Sequence, residues 1–303
     1  MSAQAAAAET DIGIPLVITT IQARPVAGEP GKWEFDKNIV GEQNDTDALF
    51  LKDVTKREVD GVMVYTGTAV SDMGAEIDAV AKKRGASHCL LCVHGYTNTP
   101  GSVFDLVRTM NQHYEGEKVF VLPVVWPAER VDYFGQKQDA PGAARGLRSL
   151  VPGVMSTTTP ISVMCHSMGN FVLNKFPPHE DEDVRFQFDN IFMVAADVRA
   201  TTFDVGDSTK AGPDILRICK KKVHVLWHWW DMALLGRRVL NSGRSALGKV
   251  GKQYSEDKLV GDGAQLIYRE CADFNKELDW AAYLTGHGYH GTPGALDYYL
   301  ENL

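Results

Sequence analysis

Pro160-Ile-Ser-Val-Met-Cys165-His166-Ser167-Met168-Gly169-Asn170 is the stretch on which the fold turns. Ile161 to Met164 is a short apolar run that reads as a buried strand. Asn170 to Lys175 reads as an amphipathic helix, stopped by Pro177 and Pro178. Ser167 stands at the join. A strand that turns into a helix within a few residues makes a tight corner, and side chains two positions to either side of it must be small. Cys165 and Gly169 hold those places. This is the nucleophile-elbow pattern, G-x-S-x-G, with Cys in place of the first Gly. Such a corner presents the serine hydroxyl, and the helix start behind it offers free backbone N–H groups.

Outward from this corner, strand patterns alternate with helix patterns. Residues 14–23 read as an edge strand. Residues 24–57 read as a polar stretch with turns at Gly28, Pro30 and Gly31 and a short strand at Trp33 to Phe35. Gly61 to Thr68, Cys89 to His94, Val119 to Trp126, Asn190 to Ala195, Val223 to Trp227 and Ala264 to Tyr268 read as strands. Helices are predicted over Asp72 to Lys83, Ser102 to His113, Gly142 to Leu150, Pro213 to Lys221 and Pro293 to Leu300. Ser242 to Asp262 is rich in Gly, Ser and Lys and predicts a mobile loop that partly covers the site. The alternation predicts an α/β fold: a mainly parallel central sheet with helices on both faces and little or no cap. Ligand sites in such sheets lie beyond the carboxyl ends of the strands. His94-Gly95, Ser167, Asp197, Asp231 and the His287 loop each follow an apolar run, so they are expected to gather along one edge.

The chain has 303 residues, 44% apolar and 23% charged, which suits a single large domain with a sizeable core. The expected organisation is a disordered tail over residues 1–12 and one domain over 13–303, in which the strands of 13–68 extend the core. A net charge of -8 argues against nucleic acid or an anionic membrane as the main partner. No apolar run has the length of a transmembrane helix. The five cysteines are odd in number and most lie in apolar runs, which predicts reduced, packed thiols in a cytoplasmic protein. Cys89 and Cys92 fall on opposite faces of a strand, which argues against a redox or zinc pair. The sequence leaves the oligomeric state open.

A serine hydroxyl needs a base to take its proton, and the base needs an acid to fix its tautomer. Ser167, Asp231 and His287 occur in that chain order, each at a strand end. Asp197 is the alternative acid and His290 the alternative base. Asp231 is preferred because it follows the penultimate strand. His166 is expected to point away from the open corner. His224 and His228 could share a strand face, but no carboxylates are spaced around them to complete a metal site, so no metal or other cofactor is expected. The oxyanion of acyl transfer needs two backbone donors. Met168 supplies one at the helix start, and Tyr96 the other after the His94-Gly95 turn. Trp229 and Trp230, with Tyr96 and Trp126, are placed to line an apolar acyl pocket.

Taken together, these segments resemble the α/β-hydrolase superfamily and, within it, the esterase/lipase-like DUF900 family. The resemblance covers roughly residues 60–303. It rests on His94-Gly95-Tyr96, Trp126-Pro127, His166-Ser167-Met168-Gly169-Asn170, Ala195-Ala196-Asp197-Val198, Asp231-Met232-Ala233-Leu234 and His287-Gly288-Tyr289. It implies the α/β-hydrolase fold, a Ser167–Asp231–His287 triad and no metal, and says little about the natural substrate; the leading expectation from the residues is a serine hydrolase acting on small-molecule carboxylic esters. An amidase, thioesterase or lactonase would carry the same triad, and a binding protein could keep the fold without the chemistry.

Overall fold

A computed structural model describes residues 9–36, 48–128, 133–177, 186–204, 207, 209, 211–240, 245–251, 266–278 and 285–303. Among these residues twelve strands form one sheet. Its parallel half holds β7 (His88–Val93), β8 (Val119–Val125), β9 (Ile161–His166), β10 (Phe188–Val194), β11 (Cys219–Trp227) and β12 (Leu266–Glu270). These lie in the order β12-β11-β10-β9-β7-β8, and β2 (Leu16–Thr19) joins parallel to β8. Beyond β2 the sheet turns antiparallel through β5 (Leu49–Val59), β6 (Val62–Ala69), β4 (Lys32–Asp36) and β3 (Arg24–Pro25).

Both faces of the parallel half are covered, which explains why its strands read as unbroken apolar runs. On one side pack α1 (Met73–Arg84), α3 (Tyr133–Val154), α4 (Gly169–Lys175) and α5 (Ala211–Arg217), through Ile77, Ala144, Leu147, Val172 and Ile215. On the other pack α2 (Pro100–His113), the short α8 (Ala272–Asn275) and α9 (Pro293–Glu301), through Phe104, Val107, Phe274, Leu296 and Tyr299. Cys89 and Cys92 do face opposite layers, and burial pushes the Cys92 thiol up to about 12. No helix among the described residues is long and apolar enough to cross a membrane.

The N-terminal third departs from expectation. The expected edge strand, β2, is interior, because β5 pairs along its other side. β5 itself is absent from the sequence reading. Its alternation is broken at Asp53, which has φ 53° where the β5–β6 register shifts, so buried Leu51 and Val54 lie three apart. Of the expected disordered tail, residues 1–8 lie outside the described residues, but Thr10–Asp11 forms β1 against Lys56 and Thr55 of β5. Helix α3 runs well past the expected Gly142 to Leu150 and contains Pro141 and Pro152. A buried face of Ala140, Ala143, Ala144, Leu147 and Val151 overrides those breaks.

Part of the expected mobile loop is packed. Residues 245–251 carry α7 (Leu247–Val250), between α6 (Met232–Leu240) and β12, and brace the end of β10 through Leu247 N–H to Val198 O and Gly248 N–H to Ala196 O, both 3.0 Å. The rest of that loop, 242–244 and 252–262, lies outside the described residues, and with it the expected cover over the site.

Candidate active site

β9 delivers Ser167 into a left-handed conformation, φ 52°, before α4 begins at Gly169. That geometry is uncommon for a residue with a side chain and persists only where the surroundings hold it. Here they do. Ser167 N–H donates to Val194 O at 2.9 Å, and Ser167 O accepts from the N–H groups of Asn170 and Asp197, each at 3.1 Å. The buried Asn170 side chain ties the corner together by donating to Cys165 O, Ser167 O and Val194 O. A side chain at Gly169 would start 2.6 Å from the carbonyl oxygens of Val93 and His94, so only glycine fits. At Cys165 crowding is not the issue: its side chain joins an apolar layer beside a cavity of about 20 Å³ lined by Val93, Val163 and Val172.

His287 Nε2 lies 2.9 Å from Ser167 Oγ, and its Nδ1 lies 2.7 Å from Asp231 Oδ2. Asp231 is fully buried and divided in its duties, since its Oδ1 accepts the Leu234 N–H at 2.9 Å and so caps α6. Of the two acids considered, Asp231 is therefore the one bonded to His287. Burial alone would lower the His287 pKa. The Asp231 charge and hydrogen bond outweigh it and raise the pKa above the ordinary value, with a further contribution from Asp197.

The His287 loop is fixed on both sides. Gly286 has φ 60°, and a Cβ there would sit 2.6 Å from Trp230 O. Tyr289 is buried; its hydroxyl donates to Leu226 O at 2.9 Å and accepts from Ala195 N–H at 3.1 Å, which pins the loop to the ends of β10 and β11. Thr292 then caps α9 and donates to Tyr289 O.

The turn after β7 lies across from the serine. His94 is buried and stacks on Trp126 with ring centroids 5.6 Å apart. Its Nδ1 donates to Gly95 O at 3.0 Å, its Nε2 accepts from Trp126 N–H at 3.2 Å, and the Trp126 indole donates to His94 O at 2.8 Å. Burial holds His94 neutral, with a pKa lowered to about 4. This network fixes the turn that carries Tyr96. It also removes Trp126 from the expected pocket lining, since Trp126 is only 1% exposed. Met168 sits at the start of α4, where a backbone N–H has no partner within the helix. Trp229 and Trp230, which precede Asp231, pack edge to face at 5.2 Å and are 57% and 46% exposed.

Other expected residues have different partners. The Asp197 carboxylate accepts from the Tyr133 hydroxyl at 2.8 and 3.1 Å. His290 stacks on His166 rather than reaching Ser167. His224 bonds Tyr298 and His228 bonds Glu270, so the two do not act as a pair. Among the described residues, no three His, Cys, Asp or Glu side chains are grouped to hold a metal ion. The sequence reading gave no role to Tyr133, to Tyr289 or to His166, which it expected only to point away from the open corner. Nothing local marks these residues, because each acts on a segment distant in the chain.

Among curated proteins none matches this chain in sequence. Among solved structures, it is similar to RedJ with a PEG molecule bound in the active site (12% identity, 62% of this chain and 80% of that chain covered, TM-score 0.32). It is also similar to a tributyrin phosphonate structure of esterase B from Lactobacillus rhamnosis (12%, 90% and 88% covered, 0.34) and to an esterase/lipase from an uncultured bacterium (13%, 81% and 86% covered, 0.34). The model of the alpha/beta hydrolases of unknown function, DUF900, matches residues 71–290, which is most of the chain and spans every segment from the His94 turn to the His287 loop. The chain belongs to that family of alpha/beta hydrolases.

Proposed function

We propose that the protein is a serine hydrolase that cleaves small carboxylic esters through an acyl-enzyme. The observation that carries this reading is the continuous relay from the Ser167 hydroxyl through His287 to the buried Asp231, with the serine held at a left-handed corner. In the first half-reaction Ser167 Oγ attacks the acyl carbon while His287 Nε2 takes its proton. The carbonyl oxygen becomes an oxyanion held by the N–H groups of Met168 and Tyr96. His287 then returns the proton to the leaving alcohol, the ester C–O bond breaks, and Ser167 carries the acyl group. In the second half-reaction water attacks that acyl group, His287 takes the water's proton, and the carboxylic acid leaves as Ser167 regains its hydrogen. Asp231 holds Nδ1–H throughout and stabilises the imidazolium. Trp229 and Trp230, half-exposed beside the acid, supply the apolar surface for the acyl chain.

The test is hydrolysis of short acyl nitrophenyl esters together with labelling by a fluorophosphonate probe. Wild type is expected to turn over the ester and to be labelled, and Ser167→Ala to do neither. Turnover by Ser167→Ala at the wild-type rate would refute the mechanism. An unlabelled, inactive wild type would favour a binding protein on the same fold.

A further inference from the structure

Behind the triad lies a second pair of imidazoles. His166, the last residue of β9, is buried, and its ring stacks on that of His290 with centroids 3.6 Å apart and planes 18° from parallel. Its centroid is 4.9 Å from that of His287. The Nε2–H of His166 donates to the backbone carbonyl of His287 at 3.1 Å. This bond sets the tautomer, leaving Nδ1 as a lone pair. Nδ1 faces Gly95, where a Cβ would sit 3.0 Å away, and it has no hydrogen-bond partner among the described residues. A buried ring nitrogen without a partner opposes folding. Packing alone therefore does not account for a histidine here, because a phenyl ring would fill the space without that cost. What histidine adds is the N–H that reaches the His287 carbonyl.

The carbonyl is worth holding. His287 is flanked by Gly286 and Gly288, so the peptides on both sides of the base have few steric limits of their own. Tyr289 fixes the chain beyond Gly288, and Trp230 O crowds Gly286. Between those points the base is set by the Asp231 bond at its ring and the His166 bond at its backbone. We infer that His166 is a positioning residue for the base, fixing the His287 backbone and through it the reach of His287 to Ser167. This inference rests on the serine-hydrolase reading and deepens it. Burial keeps His166 and His290 neutral, His290 with a pKa of about 3, which suits a ring that must donate from one nitrogen only.

Three substitutions in the full chain test it, with a short acyl nitrophenyl ester as the probe. His166→Gln places an amide N–H near the position of Nε2. His166→Phe keeps a ring to stack on His290 but has no donor. His166→Asn is polar but too short to reach the carbonyl. The expected kcat of His166→Gln is within about threefold of wild type, while His166→Phe and His166→Asn lose roughly 10- to 100-fold in kcat with KM changed less than about twofold. If His166→Phe fails to fold by circular dichroism, the Gln and Asn variants carry the same comparison. Equal activity in all of them, or equal impairment of Gln and Asn, overturns the role. Ser167→Ala run alongside separates the two ideas. Activity retained in it sinks the serine-hydrolase reading, whereas an inactive Ser167→Ala with no distinction between the Gln and Asn variants sinks only the positioning role.

Discussion

The charge on His287 decides when the proposed base can work. Burial depresses its pKa, but Asp231, at 2.7 Å and itself fully buried, pulls it above the ordinary value of 6.5. A base must be neutral to accept the serine proton. The acidic limb of kcat/KM is therefore expected to have its midpoint above pH 6.5, read on the free enzyme with a nitrophenyl ester. Asp231→Asn removes the charge and leaves the burial, so the limb should move to lower pH while kcat falls by about 10⁴-fold from loss of the required tautomer. A limb that stays in place would mean another carboxylate, Asp197 foremost, governs the histidine. Ser167, Asp231 and His287 could be read as a set because the elbow pattern and the chain order are local marks. His166 could not, although it adjoins the serine. Its role depends on a backbone carbonyl and a stacked ring that arrive from the far end of the chain, and no spacing rule links them.

At the scale of elements, the site depends on loops braced against one another. The loop carrying His287 meets the loop carrying Asp231 where Gly286 touches Trp230 O. Gly286→Ala adds a Cβ 2.6 Å from that backbone oxygen at a position with φ 60°. Neither backbone can yield cheaply, since Tyr289 pins one and the Asp231 cap of α6 pins the other. The shift falls on His287. We expect kcat to drop roughly 100-fold, the scale of a 1 Å misplacement, with a melting temperature lowered by more than the few degrees that ~1 kcal/mol would give, since backbone strain and a backbone contact add. A variant that unfolds before it loses activity would show that the glycine serves the fold instead. Elements with one pattern throughout were legible, as for β7, β9 and α2. β5 was not, because the Asp53 bulge shifts its period midway and its charged face pairs with Glu34 and Glu76 on neighbouring elements. The expected helix Gly142 to Leu150 likewise falls short of α3 at both ends, next to Pro141 and Pro152, since a proline break is a local rule and a buried alanine face is not.

Across the whole molecule, the mainly parallel sheet was legible because two-sided burial leaves a plain apolar run in each strand. That the strands of 13–68 extend the core was expected; how they join it was not, because the junction rests on the short β2–β8 contact, Ile18 to Val124 and Thr19 to Val125. The finished sheet also buries histidines throughout its length. Burial lowers the pKa of His88 to about 4, partly offset by Asp189, and lowers His94 and His224 to about 4 and His290 to about 3; His166 is also well below the ordinary value. All five are neutral in the fold and free to charge once unfolded. Through these five groups the unfolded chain binds more protons than the native one below pH 6.5, so their contribution to stability is full above pH 6.5 and falls as pH falls, while His287, with its raised pKa, acts in the opposite sense. Each fully engaged group contributes a slope of about 1.4 kcal/mol per pH unit. These five groups act in the same direction, so acid is expected to destabilise the fold through its histidines as well as its carboxylates. Far-UV circular dichroism against pH at 25 °C should show a cooperative transition with its midpoint above pH 4. His224→Phe removes one of the five and leaves the Tyr298 hydroxyl on the less buried side of its contact, so that midpoint should move to lower pH. If the transition instead lies below pH 4 and is unmoved by His224→Phe, acid lability belongs to carboxylates, with Asp78, whose oxygens accept from the Thr157–Thr159 segment and hold its pKa down, the first to examine.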